Sequence, residues 1–290
     1  MLTKELLTMS PVIDFHLHVV TYQELRPWVV EYRRSMLQAD TADSVCKCET
    51  PGELEAMLKD SGVDCGVILA ETSPVTTGMA SSEQIADFCR GSDKLIPFAT
   101  VNPFLVANPA SQVEHYVRDL GCKGVKLYPT YQGFYPNDSL IYPVYAKAAA
   151  LNVPVVFHTG SSVFKGSRLK FGDPLLLDDV AVDFPELNIV MAHSGRGFWY
   201  DRAFFLARLH QNVYMEISGL PPQNLLSYFP EFERNADKII FGSDWPGMPY
   251  IKRNIDGIRG LQIKEETKEK ILGGNAARLL GIEVADRRSH

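Results

Sequence analysis

The sequence predicts an α/β protein of the (β/α)8, or TIM-barrel, class, with an insert after the first strand. Two observations support this: eight short apolar segments recur along the 290 residues, and helix-like segments separate them. Eight alternating units favour the closure of a parallel sheet into a barrel. An open doubly wound sheet is the alternative, but no glycine-rich turn follows the first segment, which argues against a dinucleotide-binding fold.

The eight apolar segments are rich in Val, Ile and Phe and contain few charges. This composition is typical of parallel strands that are buried on both faces. We predict strands at residues 12–16, 65–70, 95–101, 124–128, 153–158, 188–193, 213–218 and 239–244.

Several of the separating segments begin with helix-capping patterns. Thr50 is followed by Pro51 and Glu53, and Ser81 by Gln84, so each resembles a capping box that opens a helix. The first of these helices is expected to end near residue 59. A further helix, with Ser111 in its first turn, is predicted to run to Leu120, where Gly121 suits the stop. Others are predicted at residues 142–151 and 203–210.

One connection is longer than the others. About fifty residues separate the first strand from the second, and in a barrel this insert, residues 19–64, would cover the C-terminal face. It contains the cationic and aromatic residues Arg26, Trp28, Tyr32, Arg33 and Arg34. Because no repeat or long linker divides the chain, we expect residues 1–290 to form a single domain.

Composition excludes several classes of partner. The net charge is -6 and no Lys/Arg-rich block occurs, which argues against nucleic-acid binding. No apolar run is long enough to span a membrane, and the first residues lack the apolar core of a signal peptide, so we expect a cytoplasmic protein. The five cysteines have no framework spacing and are expected to be reduced thiols.

Polar residues with metal-binding chemistry fall at the ends of the predicted strands. His16 and His18 are two residues apart on one strand, so they point to the same face and can bind one ion. Asp14 shares this face, and its role, as a partner of the histidines or as a buried structural carboxylate, stays open at this stage.

Three further residues each follow an apolar strand and precede a loop of small residues: His158, His193 and Asp244. Taken singly, each has an alternative explanation, such as a histidine bonded to a carbonyl or an aspartate that caps a helix. In a barrel, however, these strand ends converge on the active-site rim. Four histidines and one aspartate at one place predict a catalytic divalent-metal site, for Zn²⁺ first and for Fe²⁺ or Mn²⁺ as alternatives.

The same segments resemble motifs of the amidohydrolase superfamily. The similarity is to its amidohydrolase 2 branch, which includes the aminocarboxymuconate-semialdehyde and resorcylate-type decarboxylases. It extends over nearly the whole chain in the same order. The matching segments are IDFHLH at 13–18, GVKLYP at 124–129, PVVFHTG at 154–160, AHSG at 192–195, FGSDWP at 241–246 and ILGGNAARLL at 271–280.

The resemblance implies roles for individual residues. The metal ligands would be His16, His18, His158 and Asp244, and His193 would lie beside the attacking water. Some superfamily members have a carboxylated lysine that bridges two metals at the position of Lys126. The branch that this chain resembles usually has one metal, so a single Zn²⁺ is preferred over a second metal bound by carboxylated Lys126.

The preferred function is hydrolysis of a small amide, lactone or ester that bears a carboxylate. Asp244 and His193 would act as general base and acid on a metal-activated water. Lys126, Arg196 and Tyr128 are the candidates for binding the substrate, the two cations through its carboxylate.

Two alternatives remain. A nonoxidative decarboxylase (a lyase) would use the same site, but decarboxylases of this branch have longer chains and aromatic-rich pockets, so the compact chain favours a hydrolase. A non-catalytic metal-binding barrel would lack a ligand position, and every position is occupied. Barrels of this kind often form homodimers, although no stripe in the sequence identifies an interface.

Overall fold

Eight parallel strands form the centre of the protein, in a computed structural model that describes residues 10–19, 24–37 and 48–282. Numbered in chain order, the strands are Ile13–Leu17 (β1), Cys65–Leu69 (β2), Glu71–Ser73 (β3), Gly78–Ala80 (β4), Leu95–Thr100 (β5), Val125–Leu127 (β6), Val155–His158 (β7), Ile189–Ala192 (β8), Val213–Glu216 (β9) and Ile239–Ile240 (β10). All but β3 and β4 pair in sequence order as one parallel sheet, and β3 and β4 form a separate antiparallel hairpin. The predicted barrel and all eight of its strands are confirmed.

The sheet closes through the segment that follows β10. The Phe15 amide donates to the Phe241 carbonyl at 3.0 Å, and the Asp244 amide donates to the His16 carbonyl at 3.0 Å. The predicted eighth strand, 239–244, is regular only over β10, and the segment that follows turns to left-handed backbone at Asp244, where φ is 67°. Closure therefore brings Asp244 beside β1.

Helices surround the strands. They are Pro27–Leu37 (α1), Pro51–Asp60 (α2), Ser82–Cys89 (α3), Pro109–Arg118 (α4), Pro129–Gln132 (α5), Tyr142–Ala150 (α6), Leu176–Asp183 (α7), Tyr200–Leu209 (α8), Leu225–Tyr228 (α9), Ile251–Arg259 (α10), Glu265–Glu269 (α11) and Asn275–Leu280 (α12). Both predicted capping boxes are present, at the starts of α2 and α3. Helix α4 begins at Pro109 with Asn108 as its cap, so Ser111 lies in its first turn as predicted.

The barrel interior is filled by inward-facing side chains of the strands. Phe15 and Phe98 pack edge to face with ring centroids 5.5 Å apart, within a buried cluster that includes residues of four other strands. The pairing of β1 with β2 shifts register between Asp14 and Leu17, where three steps along β1 match two along β2. This bulge allows Phe15 to pack in the core while His16, the next residue, faces the site.

Residues 24–37 of the predicted insert lie over the C-terminal face and contain α1. This segment is fixed to the β3–β4 hairpin: the Trp28 indole donates to the Thr76 carbonyl at 2.7 Å, and the Arg26 amide donates to the Thr77 carbonyl at 2.9 Å. The remainder of the insert before α2, residues 20–23 and 38–47, lies outside the described residues. Within the parts of the chain described here, no helix is long and apolar enough to cross a membrane.

Candidate metal centre

The five polar residues predicted from the strand ends meet in one cavity at the C-terminal face. The ring centroids of His16 and His18 are 5.1 Å apart, those of His16 and His193 are 4.9 Å apart, and those of His158 and His193 are 4.7 Å apart. Parallel strands produce this convergence because all of their carboxyl ends lie on the same rim.

His16, His18 and Asp244 form a group of potential ligand atoms with metal-binding spacing. The Nε2 atom of His16 is 3.6 Å from Asp244 Oδ1, and the Nε2 atom of His18 is 3.8 Å from the same oxygen. Ligand atoms that share one ion, each about 2.1 Å from it, lie roughly 3–4 Å from one another. These separations therefore fit a shared divalent ion.

The unused nitrogen of His158 is a second sign of a metal site. Its Nε2 atom is buried and has no hydrogen-bond partner among the described residues. A buried polar atom without a partner is costly, and an ion bound there would satisfy it.

All four histidines at the site are held neutral. Burial is the main cause that lowers the pKa of His16, His158 and His193 well below the ordinary value, and it lowers the pKa of His18 to about 3. A neutral imidazole has a free nitrogen lone pair, which is the form that binds a metal. The cavity is therefore already in the protonation state that metal binding requires.

Glu216 and Ser218, at the end of β9, determine which nitrogen of His16 bears the proton. His16 Nδ1 lies 2.9 Å from Glu216 Oε2, and Ser218 donates to the two oxygens of the same carboxylate. His16 Nδ1 must then be the protonated donor, which leaves the Nε2 lone pair directed at Asp244. His16, His193 and Glu216 also form a group with metal-binding spacing. We assign Glu216 a supporting role because a hydrogen bond already joins it to His16.

Two strand ends adopt left-handed backbone that orients the site. His193 and Ser194 have φ of 62° and 45°, and Asp244 has φ of 67°. Residues other than glycine rarely occupy this region, and such strain is common at active sites. The turn at His193 brings its Nδ1 atom to 3.0 Å from the Ser218 carbonyl, to which it donates.

Asp14, whose role the sequence left open, joins the two segments that bear the ligands. Its Oδ1 atom accepts from the His16 amide at 3.2 Å and from the Ser243 amide at 2.8 Å. Burial raises the pKa of Asp14 to about 7. The residue thus links β1 to the segment that ends at Asp244.

Lys126 lies beneath the cavity and is fully buried. Its Nζ atom is 5.2 Å from the ring centroid of Tyr128 and has no hydrogen-bond partner among the described residues. Burial lowers the pKa of Lys126 and raises that of Glu216, and the attraction between the two groups opposes both shifts. Tyr128 lines the cavity, whereas Lys126 is not one of the described residues that do so.

The cavity has an aromatic wall and a cation at its rim. Tyr32 of α1 and Phe164 pack edge to face at 5.3 Å, and Tyr131 lies 4.6 Å from the His158 ring. Arg196, one of the predicted substrate-binding residues, has its Nη1 atom 3.9 Å from Asp244 Oδ2. The arrangement suits a small planar acid whose carboxylate lies near Arg196.

Sequence reasoning missed two acidic residues of this region. Glu216 ends an apolar strand in the same way as the residues that were selected, so the signal was present and could have been used. Glu71 lines the cavity from the start of β3, a hairpin that the sequence analysis did not predict. Its position depends on that hairpin, and no strand-end pattern indicates it.

Comparison of the sequence with known protein families identifies the family of the chain. The sequence model of the amidohydrolase 2 family, described as amidohydrolase, matches residues 13–282. The chain belongs to this family. It is an enzyme of the amidohydrolase-fold superfamily, and the resemblance seen in its strand-end motifs is confirmed.

Relatives of this amidohydrolase-family enzyme include a gamma-resorcylate decarboxylase from Rhizobium sp., which is 25% identical over 71% of this chain and 76% of the relative. A TIM-barrel protein of Bordetella bronchiseptica, described as uncharacterized, has a similar structure, with a TM-score of 0.76, 24% identity, and coverage of 94% of this chain and 99% of that chain. A 5-carboxyvanillate decarboxylase from Novosphingobium aromaticivorans, complexed with manganese and 4-hydroxy-3-methoxy-5-nitrobenzoic acid, has a TM-score of 0.64, 17% identity, and coverage of 94% and 96%. At these identities the structural similarity establishes the barrel fold of the chain, but neither its substrate nor its reaction.

Proposed function

We propose that the protein is a divalent-metal-dependent decarboxylase of a small aromatic carboxylic acid. The observation that carries the proposal is the similarity to gamma-resorcylate decarboxylases over 71% of the chain. It favours the decarboxylase alternative over hydrolysis, which fits only at the level of the superfamily. The aromatic wall supports the same choice, since an aromatic-rich pocket was one of the two features expected of a decarboxylase.

The residues present fit one divalent ion. His16, His18, His158 and Asp244 would hold it, as three neutral imidazoles and one carboxylate suit Zn²⁺, Fe²⁺ or Mn²⁺. When bound, the ion would supply positive charge that orients and neutralises the substrate carboxylate. We assign Lys126 as the buried countercharge of Glu216 rather than as a substrate ligand or a bridge between two metals.

The cavity wall would position the substrate. Arg196 would donate to the carboxylate from the rim, and the rings of Tyr131 and Phe164 would flank the substrate ring and exclude water. A ring held in this way keeps the scissile carbon–carboxyl bond in a fixed orientation, which is a large part of what a positioned site can contribute.

The reaction requires a proton at the carbon that loses carbon dioxide. As the bond between ring and carboxyl carbons breaks, its electron pair stays on the ring carbon, which takes a proton. We assign this proton to Asp244 Oδ2, which lies 3.9 Å from Arg196 and so beside the place proposed for the substrate carboxylate. His193 is the weaker donor, since it is neutral and its Nδ1 proton is already donated to the Ser218 carbonyl.

The test is release of labelled carbon dioxide from a panel of carboxyl-¹³C benzoic acids, run beside a panel of lactones, esters and amides. We expect ¹³CO2 and one solvent deuterium on the product ring in D2O. His158→Ala should reduce the rate by more than about 100-fold through loss of the metal. His115→Ala, at an exposed histidine on α4, should not change the rate. Turnover of a lactone, ester or amide without any ¹³CO2 would contradict the proposal.

A further inference from the structure

The outer surface of α7 and α8 carries a patch of exposed apolar side chains. The two helices are neighbours, because Asp173, just before α7, pairs with Arg202 of α8, and Asp178 Oδ1 of α7 lies 2.6 Å from His210 Nε2. Fourteen large apolar side chains are exposed in the described residues, and five of them belong to these helices or to the residues just before them. Each of the five is more than half exposed, and together they form the α7–α8 patch: Leu175, Val182, Phe198, Phe205 and Leu209.

Helical spacing brings these side chains onto one surface. Leu175, the N-cap of α7, and Val182 are seven residues apart, and Phe205 and Leu209 of α8 are four apart. Residues at these intervals lie on one side of a helix. The opposite sides of both helices are buried, so the patch faces outward. An apolar surface of this kind marks an interaction site, whereas single exposed apolar residues do not.

We propose that a second copy of the chain covers the α7–α8 patch in a homodimer. A two-fold axis buries the same surface on both copies. When the axis runs between the two helices and along them, α7 of one copy faces α8 of the other. This inference concerns assembly, and it does not depend on the proposed reaction.

The size of the patch agrees with what a stable dimer requires. A standard interface buries about 800 Å² on each side, and about 65% of a homodimer interface is apolar. Aromatic side chains have roughly 150–250 Å² of surface and aliphatic ones somewhat less, so five that are more than half exposed supply roughly 500 Å². The patch therefore matches the apolar share of one side of such an interface.

Charged side chains border the patch with opposite signs on the two helices. On α7 the exposed acids are Asp179 and Asp183, whereas on α8 the exposed arginines Arg202 and Arg208 lie three residues on either side of Phe205. Contact of α7 with α8 across the two-fold axis brings acids to arginines twice, but contact of α7 with α7 would bring acids together. This complementarity selects a second copy as the occupant, because one surface carries both halves.

The two acids of α7 accept hydrogen bonds from neutral groups within one copy. Asn137 donates to Asp179 at 2.7 Å, and Tyr142 donates to Asp183 at 2.8 Å. Neither donor is charged, and each carboxylate can accept further hydrogen bonds. A guanidinium of a second copy is therefore attracted to this side of the patch.

The arginines of α8 form ion pairs on the protein surface. Arg202 pairs with Asp173, and Arg208 pairs with Glu231 at 3.2 Å. Exposed pairs of this kind contribute little to stability, so an arginine can exchange or share its partner when a second copy binds. Asp201 is also exposed on α8, but it accepts from the Arg202 amide at 2.9 Å at the helix N-terminus, where a negative charge is favoured.

Sedimentation equilibrium on the protein as purified tests the proposal. We expect the wild-type protein to have twice the 32.4 kDa mass of the chain. Phe205→Glu/Leu209→Glu places two charges in the interface and should raise the dissociation constant of the dimer by more than about 100-fold. Phe104→Glu/Leu105→Glu, in the loop after β5, is the matched control, because these two residues have the same exposed fractions, 59% and 55%, as Phe205 and Leu209. It should leave the dimer intact, and circular dichroism would verify that both variants fold.

Exchange of charges tests the pairing of α7 with α8. Asp179→Lys/Asp183→Lys makes both helices basic, and Arg202→Glu/Arg208→Glu makes both acidic. Each variant alone should have a dissociation constant at least about 10-fold higher than the wild-type protein. An equimolar mixture of the two should form a heterodimer, because acidic and basic helices then face each other at both places; native mass spectrometry would detect it.

A wild-type protein that is monomeric over the whole concentration range would overturn the inference. So would an assembly whose mass is the same in folded Phe205→Glu/Leu209→Glu, since its interface would then lie elsewhere. Two charge variants that dissociate alone and stay apart when mixed would contradict the pairing of α7 with α8. None of these outcomes depends on release of carbon dioxide, so the dimer and the proposed function fail separately.

Discussion

Replacing Glu216 with glutamine changes one atom of the site, and the structure predicts that it weakens metal binding. The carboxylate accepts from the Ser218 amide at 2.7 Å, from the Ser218 hydroxyl at 2.8 Å and from His16 Nδ1 at 2.9 Å. A glutamine has one accepting oxygen and one donating nitrogen, so it cannot satisfy all three contacts.

Both orientations of the amide are unfavourable. With the nitrogen toward His16, the imidazole must accept at Nδ1, and its proton moves to Nε2, the atom 3.6 Å from Asp244 Oδ1 that would bind the ion. With the nitrogen toward the Ser218 amide, two donors face each other across a distance that is 2.7 Å in the native protein. Either conflict costs about 1–3 kcal/mol, which corresponds to a roughly 10- to 100-fold loss of metal affinity.

The assay is competition for the metal between the protein and a chromophoric chelator, with circular dichroism to verify folding. Glu186→Gln, a matched change at an exposed position, should keep the wild-type affinity. Glu216→Asp, which retains the charge, should fall between the two. If folded Glu216→Gln binds the metal as tightly as the wild-type protein, the tautomer argument is wrong and Glu216 does not position His16.

Three further predictions concern stability and reactivity. Gly273→Ala should destabilise the protein by more than about 3 kcal/mol, seen as a lower Tm, because its Cβ atom would lie 1.6 Å from the Pro11 carbonyl oxygen. Gly52→Ala should not lower the Tm, because a Cβ atom at Gly52 would have no neighbour within 4 Å. Burial raises the pKa of Cys89 and Cys122 to about 12, so neither should react with iodoacetamide in the native protein at pH 8, and rapid labelling of either would contradict this. Each thiol stays protonated in the folded state, whereas in the unfolded chain it ionises above pH 9.0. The free energy of unfolding should therefore fall between pH 9.0 and about 12. Urea unfolding at several pH values should show a less steep fall for Cys89→Ala.

The fold was predictable because its signals are local and repeated. Each buried strand is a short apolar segment, and the capping boxes at Thr50 and Ser81 depend on residues only three positions apart. The β3–β4 hairpin was not predicted, since its three-residue strands lack a pattern of their own and are held by contacts with the distant residues Leu25 and Arg26.

The site was predictable in position and only partly in detail. The strand-end rule located His16, His158 and Asp244 because convergence at the barrel rim is a property of the fold. It could not show that Glu216 bonds to His16 across 200 positions of sequence, or that α1 brings Arg33 to the cavity. Such contacts depend on side-chain directions that no local pattern specifies.

The position of the metal ligands was predictable from the sequence, but the choice between hydrolysis and decarboxylation was not. Hydrolysis and decarboxylation both use a neutral histidine cluster with an aspartate, so the ligand motifs favour neither. The expectation of hydrolysis depended on chain length, which is a property of the whole protein and not of the cavity. The wall formed by Tyr32, Tyr131 and Phe164 is closer to the chemistry, because it determines whether a planar ring can be held with its carboxylate toward Arg196. For this family the wall of the cavity, rather than its metal ligands, is therefore the part of the structure from which the substrate should be inferred.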